Sequence, residues 1–170
     1  MSRRAIWDEK GGGTAVELAL IAPLFLLLVF AALELGLMLF ANAALDGAMR
    51  EAARAIRTGE AQLSGSALAA VRSRLCAEVG ALIDCNAVSL DARVFGSFAA
   101  VSLPPLTAQP GPPATMFDAG DAGQIVALRA VYRYEFMVPM VAALLGDGSG
   151  GGWLLATAIF RNEPFRGATP

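Results

Sequence analysis

The residues with the clearest chemical potential stand at the start of an apolar segment. Gly12-Gly13-Thr14-Ala15-Val16-Glu17 places a carboxylate five residues beyond a glycine, and Leu18 to Leu33 then carries no charge. A carboxylate beside a lipid-facing segment costs free energy, at most about 2.5–3.5 kcal/mol at mid-bilayer and less near an interface, so it usually has a partner. Glu17 is therefore a candidate for pairing with a cation, or else a favourable charge in the first turn of a helix.

The composition excludes much of enzyme chemistry. The chain has 170 residues and no histidine, which removes His-dependent triads and the common histidine-ligated zinc sites. Lys10 is the single lysine, so Schiff-base and Ser-Lys chemistry have no candidate beyond the first ten residues. A net charge of -2 and a pI near 5.1 argue against a nucleic-acid partner. We expect no catalytic residues, cofactor or metal.

The two cysteines, Cys76 and Cys85, are too few for a four-thiolate metal site. Their nine-residue separation allows one small disulfide, which would indicate an oxidising compartment, or two unpaired thiols in a cytosolic core. If this region lies outside the cytoplasm, the disulfide is the favoured interpretation.

The excess of hydrophobic residues, 56% against a norm of about 45–50%, is concentrated near the N-terminus. As a helix, residues 18–40 would rise about 34 Å, enough to cross a hydrocarbon core of about 30 Å. A buried core helix this apolar on all faces would need protein around its whole circumference. The segment therefore predicts one transmembrane helix.

The N-terminal segment and the C-terminal end of the chain together resemble a known family. Gly-x-x-x-x-Glu entering an apolar helix is the signal of type IV prepilins, and GGGTAVELALIAPLFLLLVFAALELG resembles the TadE/TadF-like minor pilins (pseudopilins) of the tight-adherence (Flp) pilus system. The ending Ile159-Phe160-Arg161-Asn162-Glu163-Pro164-Phe165 is similar to the Arg-Asn-Glu-Pro-aromatic ending of TadE-like chains.

The resemblance implies a processing site and a role for Glu17. A prepilin peptidase would cut between Gly12 and Gly13, so that residues 1–12 are a leader and Glu17 is the fifth residue of the mature chain. The glycine triplet also allows a cut after Gly11 or Gly13. The new amine of Gly13 could pair with Glu17 of a neighbouring subunit and set axial register. One departure from the family is Leu18, where an aromatic residue is frequent.

Glu34 is a second acid inside the apolar stretch. It marks the edge of the membrane span, or it meets an arginine of another subunit; the first interpretation is the simpler.

The elements that must position these residues are two helices and a sheet. The periodicity predicts one helix from about Thr14 to Arg57, kinked at Pro23 and stopped by Thr58-Gly59, of which residues 13–57 form the long N-terminal unit. A second helix is predicted from Ser64 or Ser66 to about Leu82.

Strands are predicted in residues 87–95, 125–136 and 153–160, the last suited to a central position. The second strand would present Arg129, Arg133 and Glu135 on its polar face. A proline-rich loop covers residues 104–113. The fold class is therefore α+β: a long transmembrane and amphipathic helix, a shorter helix, and a small antiparallel sheet in a pilin-like head at residues 58–170.

Two weaker motifs are discounted. Residues 146–151 satisfy G-x-G-x-x-G, but a strand-like segment follows instead of a helix, so we expect a flexible hairpin loop. Asp118 and Asp121 lack the further ligands of a calcium loop.

The expected function is that of a structural subunit in Tad pilus biogenesis and adhesion. The resemblance implies as partners a prepilin peptidase, other pilins and an inner-membrane assembly platform. The expected location is the bacterial inner membrane, with a cytoplasmic N-terminus and a periplasmic head, or the extracellular pilus. The alternative is an uncleaved single-pass membrane protein whose outer domain binds a ligand or an envelope partner.

Overall fold

The computed structural model describes residues 11–80, 83–103 and 116–165, and its dominant element is one long helix. Helix α1 runs over Gly11–Arg57 and stays helical through Pro23. At about 1.5 Å per residue it is about 70 Å long. It begins three residues before the predicted Thr14, so it includes the glycine triplet, and it ends at Arg57 as predicted. Beyond it Gly59 adopts a φ of 82°, a left-handed conformation that suits glycine.

The two halves of α1 have different surroundings. No residue from 12 to 33 is buried, although most of them are apolar. From Glu34 onward one side of the helix packs on the rest of the protein. The residues of this stripe, called the seam below, recur at intervals of three and four and are Glu34, Met38, Ala41, Leu45, Ala48, Ala52 and Ile56.

Two short helices follow and return along α1. Helix α2 covers Glu60–Leu63 and α3 covers Ala67–Val79. The side chain of Ser66 caps α3 by accepting a hydrogen bond from the N–H of Ala69, and α3 ends at Val79, three residues before the predicted Leu82. Leu82 itself lies outside the described residues. Arg74 of α3 forms ion pairs with Glu51 of α1 and Glu60 of α2.

The sheet is an antiparallel meander in the order β1–β2–β3, formed by Ser89–Phe95, Ile125–Glu135 and Gly151–Arg161. The α+β fold class is thus confirmed. The predicted central position of the third strand is wrong, because β2 lies in the middle. One face of β3 packs on α1 through Leu154 and Ala156, whereas Leu155 and Ile159 are exposed on the other face. The apolar run of β3 therefore reflects helix packing and not a central place.

The sheet face turned away from α1 contains a buried ion pair. Arg129 of β2 lies opposite Asp91 of β1, and its Nη2 is 3.3 Å from Asp91 Oδ2. Asp91 also accepts hydrogen bonds from Arg93 Nε and from the N–H of Met116. Arg129 lies on the polar side of the predicted alternation and is buried there, where its partner on the neighbouring strand neutralises it.

The connection between β2 and β3 contains a helix that the periodicity did not predict. Helix α4 covers Pro139–Leu145, with Pro139 at its first position, where a missing N–H costs nothing. The predicted proline-rich loop at residues 104–113 lies outside the described residues.

Candidate functional site

The candidate processing site lies at the free end of α1. Gly12 and Gly13 are exposed in the first turn of the helix, and no side chain approaches the place where a Cβ would stand. Glycine in a helix costs roughly 1 kcal/mol relative to alanine, so this turn is easily unwound. The Gly12–Gly13 peptide bond is thus accessible and weakly held. Residues 1–10, the rest of the expected leader, lie outside the described residues.

Glu17 projects from the same end of α1. It is exposed, and within the described ranges it has no hydrogen bond or ion pair. Its position one helical turn after Gly13 corresponds to an axial distance of about 6 Å. Within the described residues, the Glu17 carboxylate is therefore open to an approaching group.

The helix around Glu17 presents apolar side chains to its surroundings. Leu18, Leu20, Ile21, Leu24 and Phe25 are each more than 60% exposed. In the described part of the chain, α1 is the one helix long and apolar enough to cross a membrane. Such a surface cannot remain in water as a monomer without cost, since burial of apolar area is worth about 25 cal/mol per Å².

Glu34 has a partner within its own chain, which neither sequence interpretation anticipated. Its carboxylate accepts hydrogen bonds from the N–H groups of Met137 and Val138, the latter at 3.2 Å from both oxygens. The side chain is buried, at 3% exposure of the residue. Glu34 therefore joins the first residue of the seam to the beginning of α4, a contact within the chain and not with another subunit.

The Tyr134 phenol lies near this carboxylate. Burial raises the pKa of Tyr134, and the negative charge of Glu34 adds to the rise. The Tyr134 ring packs edge-on against Phe136, with 5.7 Å between centroids. This aromatic pair thus lies at the end of β2, next to the backbone N–H groups that bind Glu34.

The C-terminal motif closes the opposite end of the seam. The N–H of Glu163 donates to the carbonyl oxygen of Arg57 at 2.8 Å, and Arg57 Nε lies 3.3 Å from Glu163 Oε1. The ring of Phe165 covers Gly59, where a Cβ would collide with it. These contacts satisfy a carbonyl at the end of α1 that has no partner inside the helix.

Asn162 holds the neighbouring loop. It is buried, and its Nδ2 donates to the carbonyl oxygens of Ala119 and Asp121, each at 3.0 Å. Gln62 of α2 donates to the carbonyl of Ala119 as well and to that of Gly120. The side-chain amides of Asn162 and Gln62 thus join the end of β3 and helix α2 to the loop at residues 119–121. Arg161 ends β3 opposite Ile125, and Pro164 follows outside the strand.

The sequence of the N-terminal helix matches a known protein family. Residues 12–54 match the family of TadE-like proteins. The match begins at Gly12, contains Glu17 and Glu34, and ends inside the seam. No curated protein and no solved structure matches the chain. The TadE-like segment (residues 12–54) indicates a protein associated with the Tad pilus, and with the exposed apolar helix it indicates membrane association.

Downstream of the TadE-like segment, Cys76 and Cys85 are joined in a disulfide with Cα atoms 5.6 Å apart. Arg72 of α3 donates to the carbonyl oxygens of Cys85 and Val88, at 3.1 and 3.3 Å. The bridge and the guanidinium together fasten the segment after α3 to the helix. Arg72 was not identified from the sequence. The feature that could have identified it is its position one helical turn before Cys76, on the side of α3 that faces the segment after the helix.

The glycine-rich run at residues 146–151 connects α4 to β3, so it lacks the strand–loop–helix order of a dinucleotide site. Asp147 accepts hydrogen bonds from the hydroxyl and N–H of Ser149 and pairs with Arg133. These contacts lower the pKa of Asp147 to about 2, the Ser149 bonds most strongly. The Asp118 carboxylate accepts the N–H of Gly120. Within the described ranges, no three His, Cys, Asp or Glu side chains are arranged to hold a metal ion.

Proposed function

We propose that this chain is a minor pilin or pseudopilin of a Tad (Flp) pilus, a structural subunit that acts in pilus biogenesis and adhesion. The observation that carries the proposal is the first half of α1. It is apolar, unburied from residue 12 to 33, and matched by the TadE-like family over its whole length. A helix of this kind has two environments that satisfy it, a bilayer before assembly and a bundle of parallel helices afterwards.

The proposed processing step is the cut by a prepilin peptidase after Gly12. The exposed, glycine-rich first turn of α1 supports it, because a peptidase needs an extended substrate and this turn costs little to unwind. Hydrolysis of the Gly12–Gly13 amide leaves a carboxylate on Gly12 and a protonated amine on Gly13. Cutting after Gly11 or Gly13 would change the spacing to Glu17.

The proposed assembly contact joins Glu17 of one subunit to the Gly13 amine of the next. The exposure of Glu17 and its lack of a partner in the described residues support this role. In a low-dielectric helix bundle an unpaired carboxylate is costly, so only the staggered register that brings the two charges together is favourable. The contact would therefore select one axial offset between subunits.

The proposed location is the bacterial inner membrane, with a cytoplasmic N-terminus and the head in the periplasm, until the subunit enters the pilus. The Cys76–Cys85 disulfide supports this orientation, because disulfides persist in the periplasm and are rare in the cytosol. The proposed partners are the prepilin peptidase, other pilins of the system and the inner-membrane assembly platform.

The register role is tested by replacing Glu17 with glutamine in cells that make the pilus. Glu17→Gln should leave membrane insertion and cleavage intact and reduce the amount of the protein recovered in sheared pili. Glu78→Gln is the matched control, since Glu78 is an exposed acid of α3. Equal recovery of both variants would refute the role of Glu17.

A further inference from the structure

The surface of α4 is apolar on the side that turns away from the head. Three of its long side chains are exposed, Met140 by 60%, Leu144 by 71% and Leu145 by 50%, and Met137 just before the helix is exposed by 78%. Residues 136–146 carry no charge. Val141 alone among the residues of α4 is buried and anchors the helix from beneath.

The height of α4 along α1 is set by Glu34. The carboxylate binds the N–H groups that precede α4, so α4 begins beside residue 34. Counting about 1.5 Å per residue from Leu18, Glu34 lies about 24 Å along a span whose hydrocarbon thickness is about 30 Å. The side of α1 away from the seam remains apolar and exposed beyond this height, at Leu39 and Phe40. The helix α4 therefore stands at the same level as side chains of α1 that face lipid.

We infer that α4 is a second membrane contact of this protein, lying in the headgroup and acyl boundary of the leaflet on the head side. Met137, Met140, Leu144 and Leu145 would enter the lipid beside α1, and the head would rest on the membrane surface. The inference depends on the membrane placement of α1 and not on cleavage or assembly.

The backbone around α4 suits this placement. Polar backbone groups that enter a bilayer must be satisfied within the protein. The N–H groups of Met137 and Val138 bind Glu34, that of Phe136 binds the carbonyl of Gly150, and that of Gly146 binds the carbonyl of Ala142. The Glu34 carboxylate would be an isolated charge beside lipid if it had no partner, and it instead accepts the N–H groups of Met137 and Val138 before α4.

Charged residues flank the apolar segment on both sides. Glu135 precedes it, and Asp147 follows it in an ion pair with Arg133. An interfacial element has this pattern, with apolar residues toward the acyl chains and polar residues toward water. A second copy of the chain is a weaker candidate for the occupant, because one seven-residue helix supplies much less than the about 800 Å² per partner of a stable interface.

Depth-dependent quenching by brominated lipid tests the inference. The full chain carrying Trp7→Phe and Trp153→Phe is placed in phosphatidylcholine nanodiscs, with or without bromine on the acyl chains. Single tryptophans are then introduced by Leu144→Trp in α4, Phe25→Trp in the span as positive control, and Leu63→Trp as negative control. Leu63 is 67% exposed at the far end of the seam from the span, so it matches Leu144 in exposure and differs in height.

We expect Leu144→Trp to lose emission to an extent close to that of Phe25→Trp, and Leu63→Trp to keep its emission. If Leu144→Trp is quenched by aqueous iodide and not by bromolipid, α4 faces water and the inference is wrong. Protection from both quenchers that disappears on dilution of protein in lipid would assign the surface to a second copy and overturn it too. Loss of quenching in Phe25→Trp would instead show that the placement of α1 itself is wrong.

Discussion

The N–H of Glu163 donates a hydrogen bond to the carbonyl oxygen of Arg57 at 2.8 Å, so the chain segment after the last strand closes on the last residue of the long helix. The same two residues form an ion pair at 3.3 Å. At the other end of the seam Glu34 holds the start of α4. The head is thus fastened to α1 at two points, while residues 12–33 stand free of it. This arrangement leaves the TadE-like first half of the helix outside the packed part of the protein.

Asn162→Ala should lower the free energy of unfolding by about 1–3 kcal/mol, because the carbonyl oxygens of Ala119 and Asp121 lose the donor supplied by the buried Asn162 amide. Chemical denaturation of the full chain in detergent measures the change. Glu163→Gln is the matched control. It removes an exposed ion pair worth about 0–1 kcal/mol and keeps the backbone bond to Arg57. Equal losses in the two variants would contradict the role given to Asn162.

Glu34→Ala should speed hydrogen exchange at Met137 and Val138, because both N–H groups lose their acceptor. Glu34→Gln keeps one side-chain oxygen and should have a smaller effect. Glu51→Gln, which changes a surface acid of α1, should leave these two amides unchanged. Mass spectrometry of peptides that contain residues 136–145 follows the exchange. The cap would be disproved by the same exchange rate in all of these variants.

The disulfide should leave no free thiol in protein purified without reductant and labelled after denaturation, because Cys76 and Cys85 are paired. Replacing both cysteines with alanine should cost somewhat less than the about 3 kcal/mol expected for closing a 15-residue loop, since this loop is shorter. Labelling of both cysteines without reductant would show that the pairing, and the support it lends to a periplasmic head, is wrong.

Asp147 should titrate well below the ordinary value for an aspartate, with a midpoint at about 2. Because folding lowers this pKa, the contribution of the carboxylate to stability is complete above about pH 4 and is lost as the pH falls toward 2. Carbon-13 NMR of the carboxyl follows the titration. Ser149→Ala should raise the midpoint more than Arg133→Gln, since the Ser149 bonds are the larger cause. An unshifted midpoint in the unmodified protein would oppose this assignment.

The spacing of apolar residues is sufficient to predict those helices and strands whose surroundings stay the same along their length. Alternation placed β1 and β2 within a few residues, and the three- and four-residue spacing from Leu45 to Ile56 predicted the helix-packing half of α1. The start of α1 was predicted too late, because three glycines argue against a helix that the adjoining apolar residues nevertheless extend. Helix α4 has seven residues and lies in an uncharged run, so no pattern of apolar and charged residues reveals its helical period.

The contacts that the sequence does not reveal join residues far apart in the chain. Alternation places Arg129 on the polar face of β2, but its burial against Asp91 depends on a neighbouring strand. The partners of Glu34 are backbone N–H groups more than a hundred residues away, which no side-chain pattern indicates. The sequence identifies residues 161–165 as a family motif. It does not reveal that this segment binds the end of α1 and the loop at Ala119, because those residues are distant in the chain.

Processing of the chain as a pilin is tested most directly by the intact mass of the membrane-extracted protein. In cells with an active prepilin peptidase the protein should lack residues 1–12 and begin at Gly13. In cells without the peptidase it should be full length, and Gly12→Val should prevent the cut where Gly11→Val permits it. A chain that still begins at Met1 or Ser2 beside an active peptidase would contradict the account.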